Sequence, residues 1–250
     1  MQTVLSITIP FFSIIFLGTF LRARKFFNEE ASKILTKFAF FVTLPPYIFL
    51  NIVKSSNTNI FQWDFIIRFE IITIFIMTFS FLISKFLFQY NNRKASLFSL
   101  NSSYPNYGFL GIPLCILAFG KEAAIPISMI LFADTIVLLT FITFFASNTN
   151  ESKIYKNLFF ILVNMIKNPL LVAVIIGFIF IIFNISIYPL IYEVLNILSV
   201  AAPPTLLFAL GIMLWNKVDI KFVQLITVIK IFRLIIHPLL VFCVFYYFPS

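Results

Sequence analysis

The chain has 250 residues, 61% of them hydrophobic and 11% charged, and a mean hydropathy of +1.05. A soluble domain of this length cannot hide so much apolar surface from water, so the composition excludes a soluble globular protein and places the chain in a bilayer. The net charge of +9 comes from basic residues scattered through short breaks between apolar runs rather than gathered into a binding arm, so no nucleic-acid partner is expected.

A helix rising about 1.5 Å per residue needs roughly 20 residues to cross about 30 Å of hydrocarbon. Apolar runs of about that length predict eight spans: residues 4–21, 34–53, 65–88, 97–119, 123–146, 167–183, 188–215 and 225–248. The runs are continuous rather than alternating, which predicts α-helices and not a barrel. Met1-Gln2-Thr3 lacks the positive start of a secretory signal, so the first run is expected to stay as a span. Residues 154–166 are apolar but short and flanked by Lys153, Lys156 and Lys167, as expected of an interfacial helix or a lead-in to the sixth span. Cys115 and Cys243 fall inside apolar runs and imply no disulfide framework.

Twelve of the 18 basic residues fall in the odd-numbered loops, including Arg22, Arg24, Lys25, Arg93, Lys94, Lys217 and Lys221, whereas the even loops hold Lys54 and Lys121. The positive-inside rule then sets the odd loops in the cytoplasm and the N-terminus outside.

The order of prolines and glycines is repeated. Pro10 is followed by Gly18 and then Pro45-Pro46, and Pro169 by Gly177 and then Pro203-Pro204, with one single-residue gap between the two series. With the orientation above, the copies enter the membrane from opposite sides, the inverted repeat on which many secondary transporters are built. Residues 1–150 form the first repeat, of five spans, and residues 151–250 a partial second repeat of three.

The fourth span carries Asn106-Tyr107-Gly108-Phe109-Leu110-Gly111-Ile112-Pro113, preceded by Asn101, Ser102, Ser103 and Pro105. Proline removes a helix donor and glycine permits nonhelical dihedrals, so this run is expected to part the helix into two halves. Unpaired amides and the positive end of a half-helix can hold an anion there, with the Asn106 amide orienting it. A proline-kinked span without a ligand is the plain alternative. Pro45, Pro46, Pro203 and Pro204 read either as hinges that free backbone carbonyls or as simple kinks. Asp134, in the middle of the fifth span, is costly as an ion in oil, and either carries a coupling proton or cation or pairs structurally with a neighbour. Lys230, Arg233 and His237 recur at helical spacing and would share one face of the eighth span, either to attract a carboxylate or, for Lys230 and Arg233, to snorkel. Arg68 and Glu70 read as interfacial.

The chain resembles the auxin efflux carrier family, whose bacterial members include malonate- and malate-permease-like proteins. The residues that carry the resemblance are Asn106 to Leu114, Leu44-Pro45-Pro46, Lys167-Asn168-Pro169-Leu170, Ala201-Ala202-Pro203-Pro204 with Leu210-Gly211, and His237-Pro238-Leu239. The resemblance implies an all-α polytopic fold of two inverted five-span repeats, similar to bile acid:sodium symporters, with crossing broken helices around a midplane site. Against that pattern the second repeat stops after three spans, and the chain reads as C-terminally truncated. Asn106, Gly108, Gly111 and Pro113, with Ser102 and Ser103, would supply the first half of a site for a small organic anion such as a dicarboxylate or an auxin-like carboxylate. The expected activity is secondary transport by alternating access across the inner (plasma) membrane, with a truncated, non-transporting remnant or accessory protein as the alternative. No cofactor or metal is expected; coupling to protons or sodium, and a homodimer within the lipid bilayer, stay open. One histidine, with no zinc motif or phosphate loop, argues against an enzyme.

Overall fold

The computed structural model describes residues 2–55, 62–145, 154–215 and 223–248; within them all regular structure is helical. In chain order the α-helices are α1 (Gln2–Ala23), α2 (Glu29–Phe38), α3 (Leu44–Lys54), α4 (Trp63–Leu87), α5 (Asn92–Ser103), α6 (Ile112–Phe119), α7 (Ala124–Phe145), α8 (Ile154–Lys167), α9 (Pro169–Ile182), α10 (Pro189–Leu214), α11 (Val223–Ile231) and α12 (His237–Tyr247). Five stretches among the described residues are individually long and apolar enough to cross a membrane: Glu29–Lys54, Trp63–Leu87, Lys121–Phe141, Pro189–Leu214 and Val223–Tyr247. A sixth is added if α8 and α9 count as one broken span, and Thr8–Ala23 of α1 is a shorter apolar helix. The short run before the sixth predicted span is therefore helical, and it ends where Asn168 caps α9 by accepting from the Leu170 amide at 3.0 Å. Lys153, Lys217 and Lys221, three of the charges used to orient the chain, and the boundary between residues 150 and 151 lie outside the described residues.

Several prolines explain the local irregularities. A proline clashes with the carbonyl four residues before it. Ahead of Pro45-Pro46, Pro113 and Pro238 the helix widens into a π-turn, at Ala39–Thr43, Tyr107–Gly111 and Phe232–Ile236 respectively. Each turn contains the carbonyl that would collide, and its bonds run to a residue five back, as from the Leu44 amide to the Ala39 carbonyl. Pro203 and Pro204 behave otherwise, lying inside α10 with no such turn.

The chain divides into two compact units: Met1–Ile60, Asn106–Ser128 and Asn168–Lys217 form the first, and Phe61–Pro105, Met129–Lys167 and Val218–Ser250 the second. In the first unit α10 is the central helix, packed against α1, α2 and α3. Gly18 and Gly211 face each other where α1 crosses α10; a Cβ on Gly211 would lie 2.1 Å from the Ile15 carbonyl oxygen, and one on Gly18 2.4 Å from that of Phe208. Backbones this close need glycine on both sides, the usual device for helix contact in lipid. Thr19 fixes the crossing by donating to the Gly211 carbonyl at 2.8 Å. Gly177 of α9 instead makes room for a side chain, Ile52 of α3, beside the edge-to-face pair Phe49–Phe180.

In the second unit α4 packs against α5 and α12. Met77, Phe81, Ala95 and Phe141 form an apolar cluster from α4, α5 and α7, and Ile72, Ile76 and Phe232 form another against the π-turn before α12. Between these clusters the buried face of α4 carries Glu70, Thr73, Ser80 and Ser84. Ser99 of α5 donates to the Met77 carbonyl of α4 at 2.5 Å, a polar tie between two helices. Leu234, Ile235, Leu239 and Phe242 are exposed, as lipid-facing side chains are.

Candidate functional site

The fourth predicted span is not one helix. Pro105 forces the residue before it out of the helical region, and Tyr104 accordingly sits at φ −78° and ψ 116°, ending α5. Tyr104, Pro105 and Asn106 are nonhelical, after which the chain enters the π-turn Tyr107–Gly111 and then α6, with Pro113 in its first turn, where a missing amide hydrogen costs nothing. The Asn106 carbonyl accepts from both the Gly111 amide, at 2.9 Å, and the Leu110 amide, at 3.3 Å. That leaves the half-buried Asn106 at the head of a new helical segment.

Gly111 has ordinary helical dihedrals, φ −58° and ψ −63°, so at this position glycine is not there to reach nonhelical dihedrals. Its reason is space: an added Cβ would stand 3.3 Å from the Asn106 carbonyl oxygen, against the carbonyl that closes the turn. The turn packs on α10, and Leu110 and Leu114 cover the Phe11, Ile15 and Leu207 cluster. The break is thus held by the glycine-crossed helices of the first unit.

Asn106, Gly108, Gly111 and Pro113 all belong to that unit, as do the four helix-break prolines, whereas Ser102 and Ser103 belong to the second. Both serines are fully buried and donate back to carbonyls of their own helix, Ser102 to Phe98 and Ser103 to Ser99, each at 2.9 Å. Their donors are therefore occupied, and they offer a guest only lone pairs.

The basic stripe of the eighth span does not keep its expected face. The π-turn Phe232–Ile236 falls between Lys230 and His237 and changes the angular step, so Lys230 is exposed, Arg233 half-buried and His237 buried. The His237 ring lies 5.5 Å from that of Phe69, and its Nε2 is 3.3 Å from the Thr73 hydroxyl.

Asp134 is 1% exposed and faces Glu70, which is 7% exposed, in the second unit. Glu70 is thus buried among the helices, not on the surface. Arg68, its sequence neighbour, turns away to a two-pronged ion pair with Asp64, at 2.8 and 2.9 Å, and also donates to the Phe248 carbonyl. The signal for Glu70 was in the sequence: Glu70, Thr73, Met77, Ser80 and Ser84 recur in alternating steps of three and four, which is one face of a helix.

Comparison with known proteins bears on both units. Residues 3–249 match the model of a family described as "Membrane transport protein", the same family as the auxin efflux carriers. The chain belongs to that family. An uncharacterized transporter of Methanocaldococcus jannaschii is 28% identical over an alignment of 237 residues that covers 90% of this chain and 73% of that protein. A Rhizobium meliloti protein named "Putative malonate transporter" is 30% identical over 131 residues, 52% of this chain and 41% of that one. The family and these relatives are membrane transporters and not enzymes, and the chain is accordingly a multi-pass membrane protein of the transport class.

Proposed function

We propose that the chain acts in secondary transport of a small organic anion, a dicarboxylate of the malonate type, and that the anion binds at the helical restart that follows Asn106 in the broken fourth span. The observation that carries this reading is the nonhelical Tyr104–Asn106 segment followed by a fresh helical start, in a chain of the membrane transport family. A helix that restarts within an apolar run turns its first amides toward whatever lies at the break, and the Asn106 side chain stands beside them. The malonate relative supports the substrate class.

The inverted repeat draws support from the glycine crossings. Gly18 of α1 rests on α10 just beyond Pro203-Pro204, and Gly177 of α9 rests on α3 just beyond Pro45-Pro46. Exchanging the two copies exchanges these contacts: the first helix of each copy crosses the proline-pair helix of the other. Repeats related in this way give inward- and outward-facing states of similar energy, the basis of alternating access. In this reading the eight apolar runs are spans, the N-terminus is outside and the membrane is the inner one.

Proteoliposomes containing the purified chain and preloaded with malonate should take up labelled malonate by counterflow. Asn106→Ala should lower the rate at least tenfold in protein shown to be folded by its helical circular dichroism. Equal rates in the two proteins would remove the site, and no uptake by the unaltered chain would remove the transport reading.

A further inference from the structure

We propose that Glu70 and Asp134 hold one proton between them and that this pair is the protonation site through which the chain couples transport to the proton gradient; the coupling half of the inference rests on the transport reading above. Neither Glu70 carboxylate oxygen has a hydrogen-bond donor within reach among the described residues, and both are sealed from solvent. What Glu70 faces instead is a second carboxylate. Two ionised carboxylates are acceptors only, so without a proton the pair sets acceptor against acceptor in an apolar surround, where repulsion is not screened. One hydrogen removes both faults, since the protonated oxygen donates to the other carboxylate and the pair keeps a single charge.

The neighbours fit a proton better than a metal ion. Among the described residues no group of three His, Cys, Asp or Glu side chains forms a metal site. Titratable groups near the pair include Tyr104, beyond the end of α5, which faces Thr135 and Asp134, and His237 of α12, which meets α4 one turn along from Glu70 at Thr73; the half-buried Arg233 lies in the π-turn whose Phe232 packs on α4. Arg68, on the same helix as Glu70, is committed to Asp64. Among the described residues no cation hydrogen-bonds Glu70, while Thr73 and His237 offer a hydroxyl and a ring nitrogen through which a proton can arrive. In the cycle, a proton taken from water on one side joins the pair to give one carboxylic acid and one carboxylate; its release to water on the other side restores two carboxylates as the anion moves.

The direct test is infrared spectroscopy of the reconstituted chain at neutral pH. A carbonyl stretch of a protonated carboxylic acid, shifted by deuterium oxide, is expected in the unaltered protein and is expected to vanish in both Glu70→Gln and Asp134→Asn. If these isosteric variants do not fold, the unaltered protein with carbon-13 in its glutamate or aspartate carboxyls answers the same question, because one of the two labels must move the band. A band absent from the unaltered protein, or indifferent to both variants and both labels, overturns the shared proton. For coupling, an imposed pH gradient should drive malonate accumulation by the unaltered chain and not by Glu70→Gln, with counterflow retained in the variant. Accumulation that follows a sodium gradient instead overturns the choice of ion. The two readings fail separately: an intact band without malonate movement sinks transport and leaves the protonated pair, and malonate movement without the band does the reverse.

Discussion

In the unit built around α10, helices are joined by backbone contact at Gly18 and Gly211 and by close side-chain contact at Gly177, whereas in the unit built around α4 the buried faces carry hydroxyls, carboxylates and an imidazole. The difference follows from what lipid permits. Apolar side chains gain little by leaving hydrocarbon for a neighbouring helix, so helices associate through close approach or through hydrogen bonds. The first unit relies on close approach, aided by hydrogen bonds from Thr19 and Ser32 to carbonyls of α10, and the turn after Asn106 packs on α10. The second uses polar side chains, which can change partner or protonation state at small cost in packing.

Substitutions that exchange the two modes test this contrast. The largest effect is expected from Gly211→Ala, whose methyl would overlap the Ile15 carbonyl at 2.1 Å, backbone against backbone, so that α1 and α10 must separate. Destabilisation of about 3 kcal/mol or more should appear as a lowered melting temperature in detergent, since overpacking ordinarily costs about 1–3 kcal/mol when side chains alone give way. Gly177→Ala meets the Ile52 side chain at 3.0 Å, which can shift, and should cost about 1 kcal/mol on the same assay. In the second unit Thr73→Val keeps the shape and removes the hydroxyl beside His237, and about 0.6 kcal/mol is expected, the average for a side-chain hydrogen bond between membrane helices. A Thr73 loss equal to that at Gly211 would erase the distinction between the units. Asn106→Ala keeps the backbone carbonyl that closes the turn on Gly111, and its main effect is expected on malonate counterflow.

The break and the carboxylate pair were legible to different degrees. Pro105 and Pro113 act on the residues beside them, so the interruption of the fourth span could be read from the chain, although the assignment of Gly111 to nonhelical dihedrals could not stand once its neighbours were known. Glu70 reads as interfacial from its place near the end of the third predicted span; the stripe from Glu70 to Ser84 carries the signal for burial, and only the fold shows that Asp134 is what it meets. The two proline pairs are the clearest case. They look alike in sequence, yet one follows a π-turn and the other lies within an uninterrupted helix.

The amino-acid sequence by itself determined the membrane class, the family and the points where prolines interrupt helices, because hydropathy and proline stereochemistry act within a turn or two of the residue that carries them. Only the tertiary structure decided which glycines let helices touch, where the serine hydroxyls are engaged and which carboxylates face each other. Those outcomes depend on residues far apart in the chain, and a polar or small side chain in an apolar run gives no sign of its partner until the helices have packed.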